Sequence, residues 1–192
     1  MDDGAVAIVA GNATEPGVGG ALTAAALRAA ARTLGPARRG CHVLLEKANS
    51  ILWTGSAGNA SAGLFQAMID PQAESFAYCA AGPLRLVALD EGNHLTALST
   101  TPPLGLQEEV LLSEARHKLR PGGLLMAYAA GNLAQLDDKL ISALEKRLAA
   151  ALVPVRSLPA SKLVEIASEI LRSTVVLANQ DQMLVLIKRR RR

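Results

Sequence analysis

LRPGGLLMAYAAGN, residues Leu119 to Asn132, places a Pro-Gly-Gly turn before the apolar run Leu124 to Tyr128 and ends it at Ala130-Gly131. Turn chemistry on both sides of a short, uninterrupted apolar run predicts a strand buried on both faces, delivering a loop to the end of a sheet. A run of this length is far short of the ~18 residues that a membrane span requires. The strand must therefore be covered by other elements of the same chain.

Working outward, the pattern alternates in blocks. Ala5 to Val9 reads as a strand, Gly17 to Thr33 as an Ala-rich helix, and Cys41 to Trp53 as a second helix. The period then shortens. Leu64 to Ile69, Ser75 to Ala80, Arg85 to Leu89 and His94 to Leu98 read as strands, with hairpin signals at Asp70-Pro71-Gln72 and Asp90-Glu91-Gly92-Asn93. Gln107 to Leu112 is expected to continue the sheet, and Met183 to Ile187 to close it. Leu136 to Leu152 and Pro159 to Thr174 read as helices, the second opened by proline. Helices, a run of antiparallel strands, helices and a last strand give an α+β layered domain.

The chain has 192 residues, half of them hydrophobic and only 3% aromatic. That is one domain with a sizeable core built mainly from Ala, Leu and Val. The start, MDDGAVAIVAG, has no basic n-region or long apolar h-region, so no signal peptide is read. Cys41 and Cys79 lack the density of a disulfide scaffold; a reduced, cytoplasmic setting with both thiols as small buried apolar groups is the expectation. The net charge of +3 sits mostly in Lys188 to Arg192. That run is read as a solvated basic tail, 188–192, following a single domain at 1–187. No aromatic residues interleave with it, so nucleic-acid recognition is not expected.

Several segments together resemble the protein phosphatase 2C-type (PPM) family, in the bacterial branch named after sporulation stage II protein E (SpoIIE). Leu119 to Gly131 resembles its L-x-P-G-D-x-l-l-l-Y-T-D-G. Val9 to Leu22, VAGNATEPGVGGAL, resembles I-G-D-V-S-G-K-G-V-P-A-A-L. Leu45 to Leu52 resembles L-x-x-l-N-x-x-L and keeps its Asn as Asn49. Ala62 to Pro71 resembles m-T-l-f-y-g-v-l-D-p, Tyr78 to Pro83 resembles y-x-n-A-G-H, and Pro103 to Gly105 matches P-L-G. Asn179 to Leu186 resembles D-D-x-T-l-l-v-l. The segments keep the family's order. The resemblance implies a four-layer α/β/β/α sandwich of two mainly antiparallel sheets flanked by helix pairs.

It also implies where metal would sit. The family's Asp carboxylates hold two Mn or Mg ions that activate a bridging water against a phosphoester. Here the aligned positions are Asn12, Ala130, Asn179 and Gln180, and Gly123 stands where the family has Asp after Pro-Gly. Glu15 falls on the first Gly of the G-K-G turn, and Pro83 on the His of A-G-H. The family's early Gly-Gly-Asp element and its hairpin are expected to be absent, and Asp2 and Asp3 are not equated with it. Without that hairpin the strand at Ala5 would offer an open edge, consistent with an oligomer or larger assembly, unless another strand of the chain covers it.

The expectation is accordingly a pseudophosphatase with no catalytic residues, no cofactor and no metal, acting as a regulatory protein-binding module. The alternative is an active metal-dependent Ser/Thr phosphatase with a remodelled Mn or Mg site. Such a rebuilt site would recruit Asp181 with Asp137 or Asp138, which otherwise read as a turn residue and a helix N-terminal pair. Binding loops are placed around Asn12, Pro83, Gly131 and Asn132. The resemblance implies a protein partner such as a phosphorylated switch or anti-sigma-antagonist protein; no membrane is expected, because the longest apolar stretches are strand-sized. Gly17 to Gly20 opens a helix but lacks the spacing of a phosphate-binding loop, so close helix packing is the reading there. No Ser-His pair stands in a nucleophile context, and no Cys/His cluster has zinc spacing.

Overall fold

The computed structural model describes residues 5–34, 40–70, 72–130, 133–174 and 181–190. Two compact units emerge: Met1–Pro83 with Thr100–Lys118, and Leu84–Ser99 with Leu119–Arg192. Each holds one four-stranded antiparallel sheet and one pair of helices. The α+β class, with two antiparallel sheets and their helix pairs, is thus the observed one.

In the first unit the sheet order is β1 (Val6–Ala13), β2 (Ala62–Ile69), β3 (Ser75–Ala81), β6 (Ala115–Lys118). Helices α1 (Gly17–Leu34) and α2 (Cys41–Ser56) pack on it. Leu27 of α1 joins Leu44, Leu45, Ala48 and Leu52 of α2 in one cluster with Leu64, Cys79 and Ala81 of the sheet. Strand β1 lies at the sheet's edge, with Val6 49% exposed. Its register with β2 runs from Val6↔Ile69 to Ala13↔Ala62, so the strand reaches past the expected Val9.

In the second unit the order is β5 (Leu95–Leu98), β4 (Leu84–Leu89), β7 (Leu124–Ala130), β8 (Gln182–Lys188). Helices α3 (Asp138–Leu152) and α4 (Ala160–Ser173) cover it. Every residue of β7 is buried, as its two-faced apolar run predicts. Alternation sends Leu124, Met126, Tyr128 and Ala130 to the helix side, against Leu144, Leu148 and Leu152 of α3 and Leu163, Ala167 and Leu171 of α4. Each fully buried leucine there contributes about 2 kcal/mol of transfer free energy.

The expected strand at Gln107–Leu112 is not one. The carbonyls of Gln107 and Glu108 accept from Asn49 Nδ2, each at 3.0 Å, so a side chain takes the place of a neighbouring strand. The sheet is completed instead by Ala115–Lys118. None of the helices among the described residues is long and apolar enough to cross a membrane.

Candidate functional site

The aligned positions are best taken element by element. Asn12 sits near the end of β1, opposite Gly63 of β2. It falls on the strand face opposite Val9, which packs toward the helices. Its Nδ2 donates weakly to Ala13 O at 3.4 Å, while its Oδ1 is buried with no protein partner.

Three residues further on, Glu15 does something the sequence reading missed. Its Oε1 accepts from Ser61 N, and Thr14 Oγ1 donates to Ser61 O at 2.9 Å, which pins the β1–α1 turn to the start of β2. Glu15 Oε2 is left buried and unpartnered. Ser61 lies 46 residues away in sequence, so no local pattern signals this role. Of the glycines that follow, Gly20 is closely packed, since a Cβ there would stand 2.0 Å from Glu15 O, whereas Gly17 and Gly19 have open space around them, so the expected close packing holds for Gly20 and not for those two.

Ala130 ends β7, 4% exposed and within the apolar cluster that includes Leu133, Leu144 and Leu148. Gly123 immediately precedes the same strand. Its N–H donates to Arg120 O, its carbonyl accepts from Arg189 N, and a Cβ there would stand 3.0 Å from Arg120 O. Pro83 is half-buried after Gly82, whose N–H donates to Thr101 O. Asp137 caps α3: its Oδ1 accepts from Leu140 N at 2.7 Å, and Asp138 follows in the first turn. Asp181 is exposed just before β8. Gly131, Asn132, Asn179 and Gln180 lie outside the described residues. Among the described residues no three His, Cys, Asp or Glu side chains gather as a metal group.

The donors can be tested against a metal on these terms. Hard divalent cations take oxygen ligands, and carboxylates bind them more strongly than amides. Asn12 Oδ1 and Glu15 Oε2 are oxygens of that type, both lacking a protein partner at one end of β1. Each is the type of oxygen that a hard cation takes. Gly123 and Ala130 offer no donor, so the described residues do not make up the carboxylate set of a two-ion centre.

Comparison with known proteins adds the rest. The family model of stage II sporulation protein E (SpoIIE) matches residues 2–191. A comparison with characterised protein sequences returned no match. Among solved structures, the RsbU and RsbW domains of Rv1364c from Mycobacterium tuberculosis superpose with a TM-score of 0.74 at 18% identity, over 98% of this chain and 54% of that one. This chain therefore spans about half the length of that structure. RsbX in complex with magnesium is similar with a TM-score of 0.67 at 14% identity, covering 97% and 82% of the two chains. The catalytic domain of the serine/threonine protein phosphatase PstP, with two manganese ions, gives 0.60 at 14% identity, covering 95% and 86%.

The magnesium and manganese in these relatives correct one expectation. The expectation of no cofactor is not supported, since RsbX is described in complex with magnesium and the PstP catalytic domain with two manganese ions. With the family model spanning nearly every residue and the two-sheet fold shared with its phosphatases, the chain belongs to the SpoIIE family of PP2C-type phosphatase domains.

Proposed function

We propose that this chain is a PPM-type domain that has lost hydrolytic turnover and acts as a regulatory protein-binding module in bacterial signalling, in a cytoplasmic setting. One observation carries the reading. Ala130, aligned with a metal-binding Asp, offers no donor, and its methyl is part of the apolar core under α3. A position that would have to present a carboxylate to metal and water packs instead against leucines. The amide of Asn12 weakens the set further, since it brings no charge to offset cation dehydration. Related structures described as RsbU and RsbW domains and as part of a stressosome support a protein partner. For this chain the partner proposed is a phosphorylated or acidic segment of a switch protein, held by the loops around Asn12 and Pro83.

A specific observation favours a second reading. The unpartnered oxygens of Asn12 and Glu15 fit a remodelled Mn or Mg site in a working Ser/Thr phosphatase. Turnover of p-nitrophenyl phosphate and of phosphoserine peptides in millimolar Mn separates the two. The first reading expects no rate above a Glu15→Gln control. A robust Mn-dependent rate that Glu15→Gln abolishes establishes the second.

A further inference from the structure

At the opposite end of β7 from Ala130 lies a feature that the phosphatase reading does not use. A cavity of about 580 Å³ opens there, walled by Val153, Pro154 and Pro159 and edged by Arg156, Lys188 and Arg190. That volume is typical of small-molecule sites, roughly 300–1,000 Å³. Gly122 lies at its edge and Ala130 ends the strand, so the cavity and the aligned metal position are separated by about 20 Å of extended chain.

The site is built rather than a loose basic patch. Lys188 closes β8, and its Nζ donates to the carbonyls of Ser157 at 3.0 Å and Leu158 at 2.6 Å. The ladder runs on past it: Gly122 N donates to Arg189 O, and Arg189 N to Gly123 O. These bonds tie the end of β8 to the β7 turn and to the α3–α4 connection. Arg156 Nη1 donates to Asp90 O, a backbone carbonyl, at 3.2 Å. The nearby carboxylates are engaged elsewhere: Asp90 pairs with His94 and Glu91 with Arg120. Among the described residues no carboxylate pairs with Arg156, Lys188 or Arg190. Among the described residues three cations thus share one cavity mouth with no carboxylate paired to them, and two are held in place by backbone carbonyls. The proline-flanked connection supplies an apolar wall beside them.

We propose that this cavity binds a small phosphate-bearing molecule, its charged group held by Arg156, Lys188 and Arg190 and its organic part lying on Val153, Pro154 and Pro159. Guanidinium groups match phosphate oxygens in paired geometry, and a lysine adds a point charge. The site is independent of whether the domain hydrolyses phosphoesters.

The test is calorimetry on the full chain, with EDTA present to remove metal, using inorganic pyrophosphate and ADP as probes. Saturable binding of both, weakened at least tenfold by Arg156→Ala with Arg190→Glu, is the expected result. Lys188 is left intact because its bonds hold the loop. Arg28→Glu on α1 changes net charge elsewhere and should leave affinity unchanged. Tighter binding of ADP than of pyrophosphate fits use of the apolar wall. Absence of saturable binding, equal loss in Arg28→Glu, or binding only to vesicles of anionic phospholipid would each overturn the proposal. A melting curve of the double variant that matches the parent shows that a lost signal is not lost folding.

Discussion

Glu145 on α3 and Arg85 on β4 form a half-buried ion pair, with Arg85 Nη2 and Nε 2.9 and 3.0 Å from the same oxygen, Glu145 Oε1. The two ends are unequal. The Glu145 side chain is 8% exposed, whereas Arg85 is 31% exposed. Tyr128 Oη donates to the same carboxylate oxygen at 3.4 Å from within the β7 core. The cluster joins helix, sheet centre and neighbouring strand.

This asymmetry gives the first prediction. Removing Arg85 strands a carboxylate out of water, while removing the charge of Glu145 leaves a guanidinium that still reaches solvent. Arg85→Ala should cost about 3 kcal/mol and Glu145→Gln about 1 to 2 kcal/mol. Urea unfolding of both variants checks the order. Equal losses would mean that the carboxylate is not the strained partner.

Asn49 carries the second prediction. It is 3% exposed; its Nδ2 holds the carbonyls of Gln107 and Glu108, and its Oδ1 accepts from Gly105 N at 2.7 Å. Gly105 is held at φ +88°, where a Cβ would stand 2.4 Å from Ala60 O. Asn49→Ala should cost about 2 to 3 kcal/mol, because three backbone groups lose their partner. Asn49→Asp should cost more, since it aims a carboxylate oxygen at two carbonyls. Protease nicking near residue 107, followed by mass spectrometry, should rise in both.

The same pair of examples shows what the sequence makes legible. β7 declares itself because both of its faces are apolar, and a short run of that kind has few other fates. The α3 stripe at Leu144, Leu148 and Leu152 is equally local. The Gln107–Leu112 segment misleads because its apolar residues suit a strand while its backbone partner is a side chain from α2, 58 residues away. β6, with the sequence ARHK, carries no strand signal of its own and forms because β3 offers an edge. At the candidate site, the lack of a donor at Ala130 is visible in the residue itself. The bond from Ser61 to Glu15 and the gathering of Arg156 with Lys188 are products of long-range packing.

The thiols give a third prediction, with a definite sign. Burial, then the Glu114 carboxylate, pushes Cys41 up to about 12, and burial pushes Cys79 up to about 11. Burial also raises Tyr128, with Glu145 adding to it. An unfolded thiol titrates near ~8.5. Below that pH both states hold the proton and stability is at its full value. As pH rises toward 11, the unfolded chain ionises first and folding is progressively disfavoured. The urea midpoint should therefore fall between pH 8 and pH 10.5, and fall less in a Cys41→Ala, Cys79→Ala variant. At pH 8 the native protein should resist a thiol reagent that labels both cysteines in guanidinium chloride.

The last prediction puts the Ala130 argument at risk. If this position belongs to the core, a carboxylate introduced there meets Leu133 and Leu144 rather than water or metal. Ala130→Asp should then destabilise the domain by about 3 kcal/mol, the cost of an uncompensated buried charge after local relaxation. Ala130→Asn, of similar size but neutral, should cost less, about 1 to 2 kcal/mol. Millimolar Mn should not restore the Asp variant, because a cation can stabilise the fold only where it binds the native state better than the unfolded chain. Melting curves of the three proteins with and without Mn make the comparison. A Mn-dependent rise confined to Ala130→Asp, together with new phosphatase turnover, would show that the strand end still faces a metal centre. In that case the loss of hydrolysis would trace to one side chain rather than to absorption of the position into the core.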